Sequence, residues 1–134
     1  MKQKILLLGL VVLIVFPLNF LRLVSPALRQ AFDHVFDPEW VHIVGHLGLY
    51  AALVVLLRMV FHLPARPLTV ALIAGIILIL GGTQEYLQLI FKGRPFGPAD
   101  LFDLQVDLAG GALGWLASSF PGIDPSLKRS ARNS

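Results

Sequence analysis

Cysteine is absent from this 134-residue chain. That excludes disulfides and thiol nucleophiles and leaves the redox compartment open. Charge is scarce as well. Asp, Glu, Lys and Arg make up 14% of the residues, against about 25% in an ordinary soluble domain. No serine stands in a G-x-S-x-G setting, and there is no glycine-rich phosphate loop and no H-E-x-x-H helix. Ser25, Ser118, Ser119 and the tail serines are remote from the polar positions discussed below, which argues against serine chemistry. Basic residues do not interleave with aromatics, so nucleic acid is not an expected partner despite the net charge of +3. No cofactor and no metal is expected, and there is no internal repeat or low-complexity tract. What remains is abundant apolar sequence, 56% of the chain, in long runs. That is the composition of an integral membrane protein.

A helix needs about 20 apolar residues to cross the hydrocarbon core. Four segments meet this: residues 5–24, 41–61, 68–91 and 101–120. The first follows Lys2 and Lys4, but it is longer than a signal-peptide core and no A-x-A site follows it. It is therefore read as a span, with a kink near Leu13 imposed by Pro17. Between the first two spans, Leu28, Phe32, Val35 and Phe36 share one helical face, opposite Arg29, Gln30 and Asp33. This predicts a short helix lying in the interface over 26–36. Asp37 is placed to cap the second span, Pro38 to begin it, Glu39 to favour its first turn and Trp40 to anchor it. Residues 62–67, with Pro64 and Pro67, form a tight link that makes spans two and three antiparallel. A turn-rich loop over 92–100 leads into the fourth span, and residues 121–134 form a polar, basic tail. The expected fold is all-α: a single membrane domain over 1–120, a four-span transmembrane helical bundle with a short interfacial helix after the first span.

Four spans put Lys2, Lys4, Arg58, Arg66, Lys128, Arg129 and Arg132 on one side, and Arg22, Arg29, Lys92 and Arg94 on the other. The excess of basic residues places both termini in the cytoplasm.

Ionisable groups in hydrocarbon are costly and generally serve a task. In this threading His42, His46 and Tyr50 share a face of span two at i, i+4, i+8. Gln84, Glu85 and Gln88 occupy the last turns of span three, and Asp100, Asp103 and Asp107 the first turns of span four. Three polar stripes thus reach the same membrane depth on the extracytoplasmic side, with Lys92 and Arg94 just outside. Glu85 is the deepest carboxylate, and His46 is expected to pair with it or with an aspartate. Arg94 suits a phosphate or carboxylate contact, or an internal pair with Asp100 or Asp103. Gly110 and Gly114 have the G-x-x-x-G spacing of close helix packing, and Ala71 and Gly75 offer a second small-residue face.

His46 followed by Tyr50, then Glu85 and Gln88, Arg94 in the loop, and Asp103-x-x-x-Asp107-x-x-Gly110-Gly111 together resemble the VanZ-like family of small membrane proteins. The resemblance covers about residues 37–114. Asp107 stands where the family commonly has Asn, and both Asp100 and Asp103 fit the family spacing, one measured from Arg94 and the other from the glycines. The resemblance implies the four-span fold, a bacterial cytoplasmic membrane and a link to glycopeptide susceptibility, but no settled reaction.

The resulting expectation is a polar pocket, formed by His46, Glu85, Asp103, Asp107 and Arg94 with Gln88, Tyr50 and Asp100. It would bind an anionic envelope lipid headgroup or a lipid-linked cell-wall precursor. Two alternatives stand beside it. One is a membrane enzyme doing acid–base or metal-assisted chemistry on such a lipid, with His46, Glu85, Asp103 and Asp107 as candidate catalytic groups. The other is a structural subunit with a membrane protein partner, in which the polar cluster only locks helices together.

Overall fold

The computed structural model describes residues 1–16, 25–27, 30, 34 and 38–120. Four helices are delimited: α1 (Lys2–Val15), α2 (Glu39–Phe61), α3 (Pro67–Lys92) and α4 (Pro98–Ser118), and no strand occurs among the described residues. At 23 and 26 residues, α2 and α3 extend about 34 and about 39 Å and are apolar enough to cross a membrane. The other two expected spans differ. Helix α1 covers 14 residues, only about 21 Å. It ends at Phe16, whose backbone is extended (φ −88°, ψ 100°), as the residue before a proline prefers. In place of a kink near Leu13, the helix stops; residues 17–24 lie outside the described set. Helix α4 is 21 residues long but carries Asp100, Asp103 and Asp107. The expected interfacial helix over 26–36, the Asp37 cap and the 121–134 tail also fall wholly or largely outside the described residues.

Local sequence accounts for the boundaries. Pro38 serves as the N-cap of α2 and Glu39 opens it, one position later than expected. At the other end His62 takes a left-handed conformation (φ 53°), and its N–H bonds the Arg58 carbonyl, which satisfies a helix-end acceptor. Pro67 begins α3, and Gly93 closes it with φ 61°. Pro98 begins α4, and the Asp100 side chain reaches back to the Gly97 N–H at 2.7 Å, holding one of the free donors of the helix start.

Helices α2 and α4 run parallel and pack closely. Their contacts keep a nearly constant register: His42 with Asp103, His46 with Asp107, Leu47 with Gly110, Ala51 with Gly114, Arg58 with Ser118. A Cβ on Gly110 would lie 2.6 Å from the Leu47 carbonyl oxygen, and one on Gly114 would collide with that of Ala51. Gly111 faces Ile77 of α3 and Val54 of α2 instead. The glycines of α4 therefore join helices within this chain. The second small-residue face does not: Gly75 has open space around its Cβ direction, and Ala71 is exposed. Tyr50, Leu53, Val54 and Leu57 of α2, Ile73 and Ile77 of α3 and Ile14 of α1 form the buried core.

At the far end of α2, Arg58 is buried. Its Nη1 donates to Ser118 Oγ at 2.6 Å, Ser119 Oγ at 3.0 Å and the Trp115 carbonyl at 3.3 Å, and the guanidinium lies 4.4 Å from the centre of the Trp115 ring. A cation at a helix C-terminus complements the dipole, and the ring adds a cation–π contact. Arg58, counted as a topology-setting charge in the sequence, thus clamps the end of α4.

Gly114→Ala is expected to destabilise the bundle by about 1–3 kcal/mol through overpacking. Gly75→Ala should leave it unchanged or slightly firmer. Reversible unfolding in mixed micelles measures both; equal effects would contradict the packing described.

Candidate functional site

Helical spacing and the α2–α4 register together build the site. Because His42 and His46 are one turn apart, and Asp103 and Asp107 likewise, parallel helices in register pair them in two steps. His46 Nδ1 lies 2.7 Å from Asp107 Oδ1, both fully enclosed. An ionised carboxylate only accepts, so the ring nitrogen is the donor there. His42 Nε2 lies 3.3 Å from Asp103 Oδ2 nearer the surface, with 40% of the His42 side chain exposed. The two imidazoles are 4.4 Å apart between centroids, and Tyr50 stacks below His46 at 6.5 Å. His42, which the expected pocket left out, joins the cluster through Asp103.

Helix α3 supplies the opposite wall. Gly81 permits the approach: a Cβ there would sit 2.6 Å from Asp107 Oδ2, 2.9 Å from Leu104 Cδ2 and 3.3 Å from the Tyr50 hydroxyl. One turn on, Glu85 is almost fully buried, and its carboxyl approaches that of Asp100 and interacts with Asp103 and His46. Gln88 is buried too, and its Oε1 accepts from Lys92 Nζ at 2.8 Å.

Arg94 settles which aspartate belongs to it. Its Nη2 and Nη1 meet Asp100 Oδ1 and Oδ2 at 2.6 and 2.8 Å, and Nη1 also reaches the Pro95 carbonyl at 3.3 Å. The bidentate bond and the Gly97 N–H together hold the Asp100 carboxylate in place. Asp103 faces His42 instead. Arg94 still has spare capacity. These bonds use three of the guanidinium's five donors, and 38% of the side chain is exposed.

Every residue expected in the pocket is therefore brought into one cluster where α2, α3 and α4 meet. Four of its buried polar atoms have no hydrogen-bond partner among the described residues: Tyr50 Oη, Gln84 Oε1, Glu85 Oε1 and Asp107 Oδ2. Tyr50 and Asp107 approach one another across Gly81 without reaching bonding geometry. Among the described residues, no three of the acids and imidazoles are arranged to hold a metal ion. Of the paired glycines Gly81 and Gly82, it is Gly81 that admits Asp107. Its signal is a glycine one turn before a buried carboxylate. The arrangement can bind donors and anions at its rim and can hold or pass protons along the His–Asp steps.

Gly81→Ala is expected to push the Asp107 carboxylate off His46, at about 1–3 kcal/mol. Gly82→Ala, next to it but open, is expected to be tolerated. Imidazole nitrogen shifts of His46 by NMR report the bond directly; a His46 signal unchanged in Gly81→Ala would refute the role given to this glycine.

No protein-family model, curated protein or solved structure matches this chain.

Proposed function

We propose that this chain is a VanZ-like integral protein of the bacterial cytoplasmic membrane, with four spans and both termini in the cytoplasm. In this reading the polar cluster opens at the extracytoplasmic face. There it engages a phosphate-bearing envelope lipid headgroup or a lipid-linked cell-wall precursor, and so bears on glycopeptide susceptibility. The observation that carries the reading is the convergence of three polar helix ends beneath Lys92 and a half-exposed Arg94 with donors to spare. The apolar exterior supports a lipid setting. Leu68, Ile79, Leu72 and Val44 on α2 and α3 are all exposed, a surface unsuited to water at this extent. The pairs on α2 and α4 supply a matching reason for the location. Buried polar groups in hydrocarbon need partners, and these find them in one another.

A second reading is favoured by the 2.7 Å His46–Asp107 bond. A carboxylate-oriented imidazole is the arrangement of a general base, so the same site would perform acid–base chemistry on the lipid it holds. Turnover that vanishes in His46→Gln while lipid binding persists would select it.

Two measurements test the main reading. Arg94→Ala with Lys92→Ala is expected to reduce phosphatidylglycerol retained by the purified protein by about tenfold, the worth of one charge-assisted hydrogen bond. Undiminished retention by a folded double variant discards the site. Reporter fusions after Ser134 and within residues 92–100 should report cytoplasm and exterior respectively, and the reverse pattern would invert the topology.

A further inference from the structure

The charges in the cluster do not balance for a purely anionic ligand. Four carboxyls converge there: Glu85, Asp100, Asp103 and Asp107. Three have a basic partner, Asp100 in Arg94, Asp107 in His46 and Asp103 in His42. The remaining nearby cation, Lys92, is bonded to Gln88. Glu85, 1% exposed, is the one carboxyl of the four with no basic partner at bonding distance among the described residues.

The unpartnered atoms point the same way. Glu85 Oε1 and Gln84 Oε1 are buried, unbonded acceptors; Asp107 Oδ2 is a third, but it faces the Tyr50 hydroxyl, an unused donor, across Gly81. Leaving buried polar groups without partners is costly, and more so in a membrane. What the site lacks around Glu85 is therefore donors. A metal ion is a poor fit, because no three acids or imidazoles are disposed around a common point among the described residues. A primary ammonium brings three N–H donors and one positive charge. It needs only a carboxylate and neighbouring oxygens.

We infer that the site reads a headgroup carrying both a phosphate and a primary amine, with Glu85 as the seat of the ammonium and Arg94 and Lys92 as the phosphate contacts. This rests on the headgroup reading above and deepens it. Glu85 lies one turn inward of Gln88 and two inward of Lys92 on the same helix. A headgroup entering from the mouth thus meets the bases first and the carboxyl below them. The order of charges in the wall, basic outside and acidic within, matches a phosphate and an amine joined by a short linker. The approach of Glu85 to Asp100 ties the two halves, since Asp100 is the carboxylate that orients Arg94.

The test is lipid retention by the full chain, read by native mass spectrometry from micelles containing phosphatidylethanolamine, phosphatidylcholine or phosphatidylglycerol. The first has a phosphate and a primary amine, the second a quaternary amine with no N–H donor, and the third a phosphate alone. The wild type is expected to prefer phosphatidylethanolamine about tenfold over the other two, the worth of one charged hydrogen bond. Glu85→Gln should erase that preference, whereas Glu85→Asp should keep part of it. If Glu85 serves only as a hydrogen-bonding partner of Asp100, the glutamine amide preserves that bond and the preference survives in Glu85→Gln, which overturns the inference. Equal wild-type retention of all three lipids also overturns it, whether or not the variants fold, and leaves the headgroup reading standing. Retention of none removes both.

Discussion

At Gly110 and Gly114, helix α4 has no side chain to hold it away from α2, and its backbone lies against the carbonyls of Leu47 and Ala51. This contact fixes both the distance and the rotation of one helix on the other. Close backbone packing and polar pairing are the two attractions that can hold such a seam together. The two glycines supply the first. By doing so they also set the second, because the turns that precede them carry Asp107 and Asp103 to the positions of His46 and His42. A rotation of α4 by one residue, about 100°, would turn both aspartates away from their imidazoles. The polar site is thus a consequence of the dry seam below it.

Helix α3 completes the site on different terms. It is antiparallel to its neighbours and joined to α2 through the short His62–Arg66 link, so its C-terminal turns end beside the N-terminal turns of α2 and α4. It contributes no cation at depth. What it brings are amide and acid groups, Gln84, Glu85 and Gln88, together with the missing side chain of Gly81, which lets the Asp107 carboxylate lie against its backbone. The result is a cluster rich in acceptors whose permanent positive charges among the described residues, Lys92 and Arg94, sit at the rim. An internal network closed on itself would have matched donors to acceptors throughout. This one leaves Tyr50 Oη and Asp107 Oδ2 facing one another unbonded on the α2–α4 side, and Gln84 Oε1 and Glu85 Oε1 unbonded on α3.

Much of this was legible in the sequence, and the limit has a physical cause. Helical period fixes which residues share a face. Hence the stripe of His42, His46 and Tyr50, the stripe of Asp103 and Asp107, and their common depth followed from spacing alone. Period does not fix how two faces meet. Whether His46 would pair with Glu85 or with an aspartate, and whether Arg94 would take Asp100 or Asp103, depended on the rotation of α4 and on the turn at Gly97, where Asp100 bonds the backbone N–H and Arg94 at once. Nor could spacing tell which small residues would pack. Gly75 and Gly114 look alike in a sequence, yet one faces open space and the other a carbonyl. Arg58 shows a related limit. A basic residue at the end of an apolar run reads as a marker of membrane side, and only the approach of Trp115 and Ser118 shows it to be a structural tie.

The two ends of the bundle therefore differ in kind. At one end a buried cation is satisfied by hydroxyls, a carbonyl and an indole ring, and α4 is held shut on α2. In the middle, glycine against backbone and Ile77 against Gly111 leave a dry seam. At the other end the polar groups run from half-exposed His42 and Arg94, through partly covered Asp103, to the buried His46, Glu85, Asp100, Asp107 and Tyr50. The polar groups are thus most accessible at the end where Lys92 and Arg94 stand, and most enclosed where they meet the glycine seam.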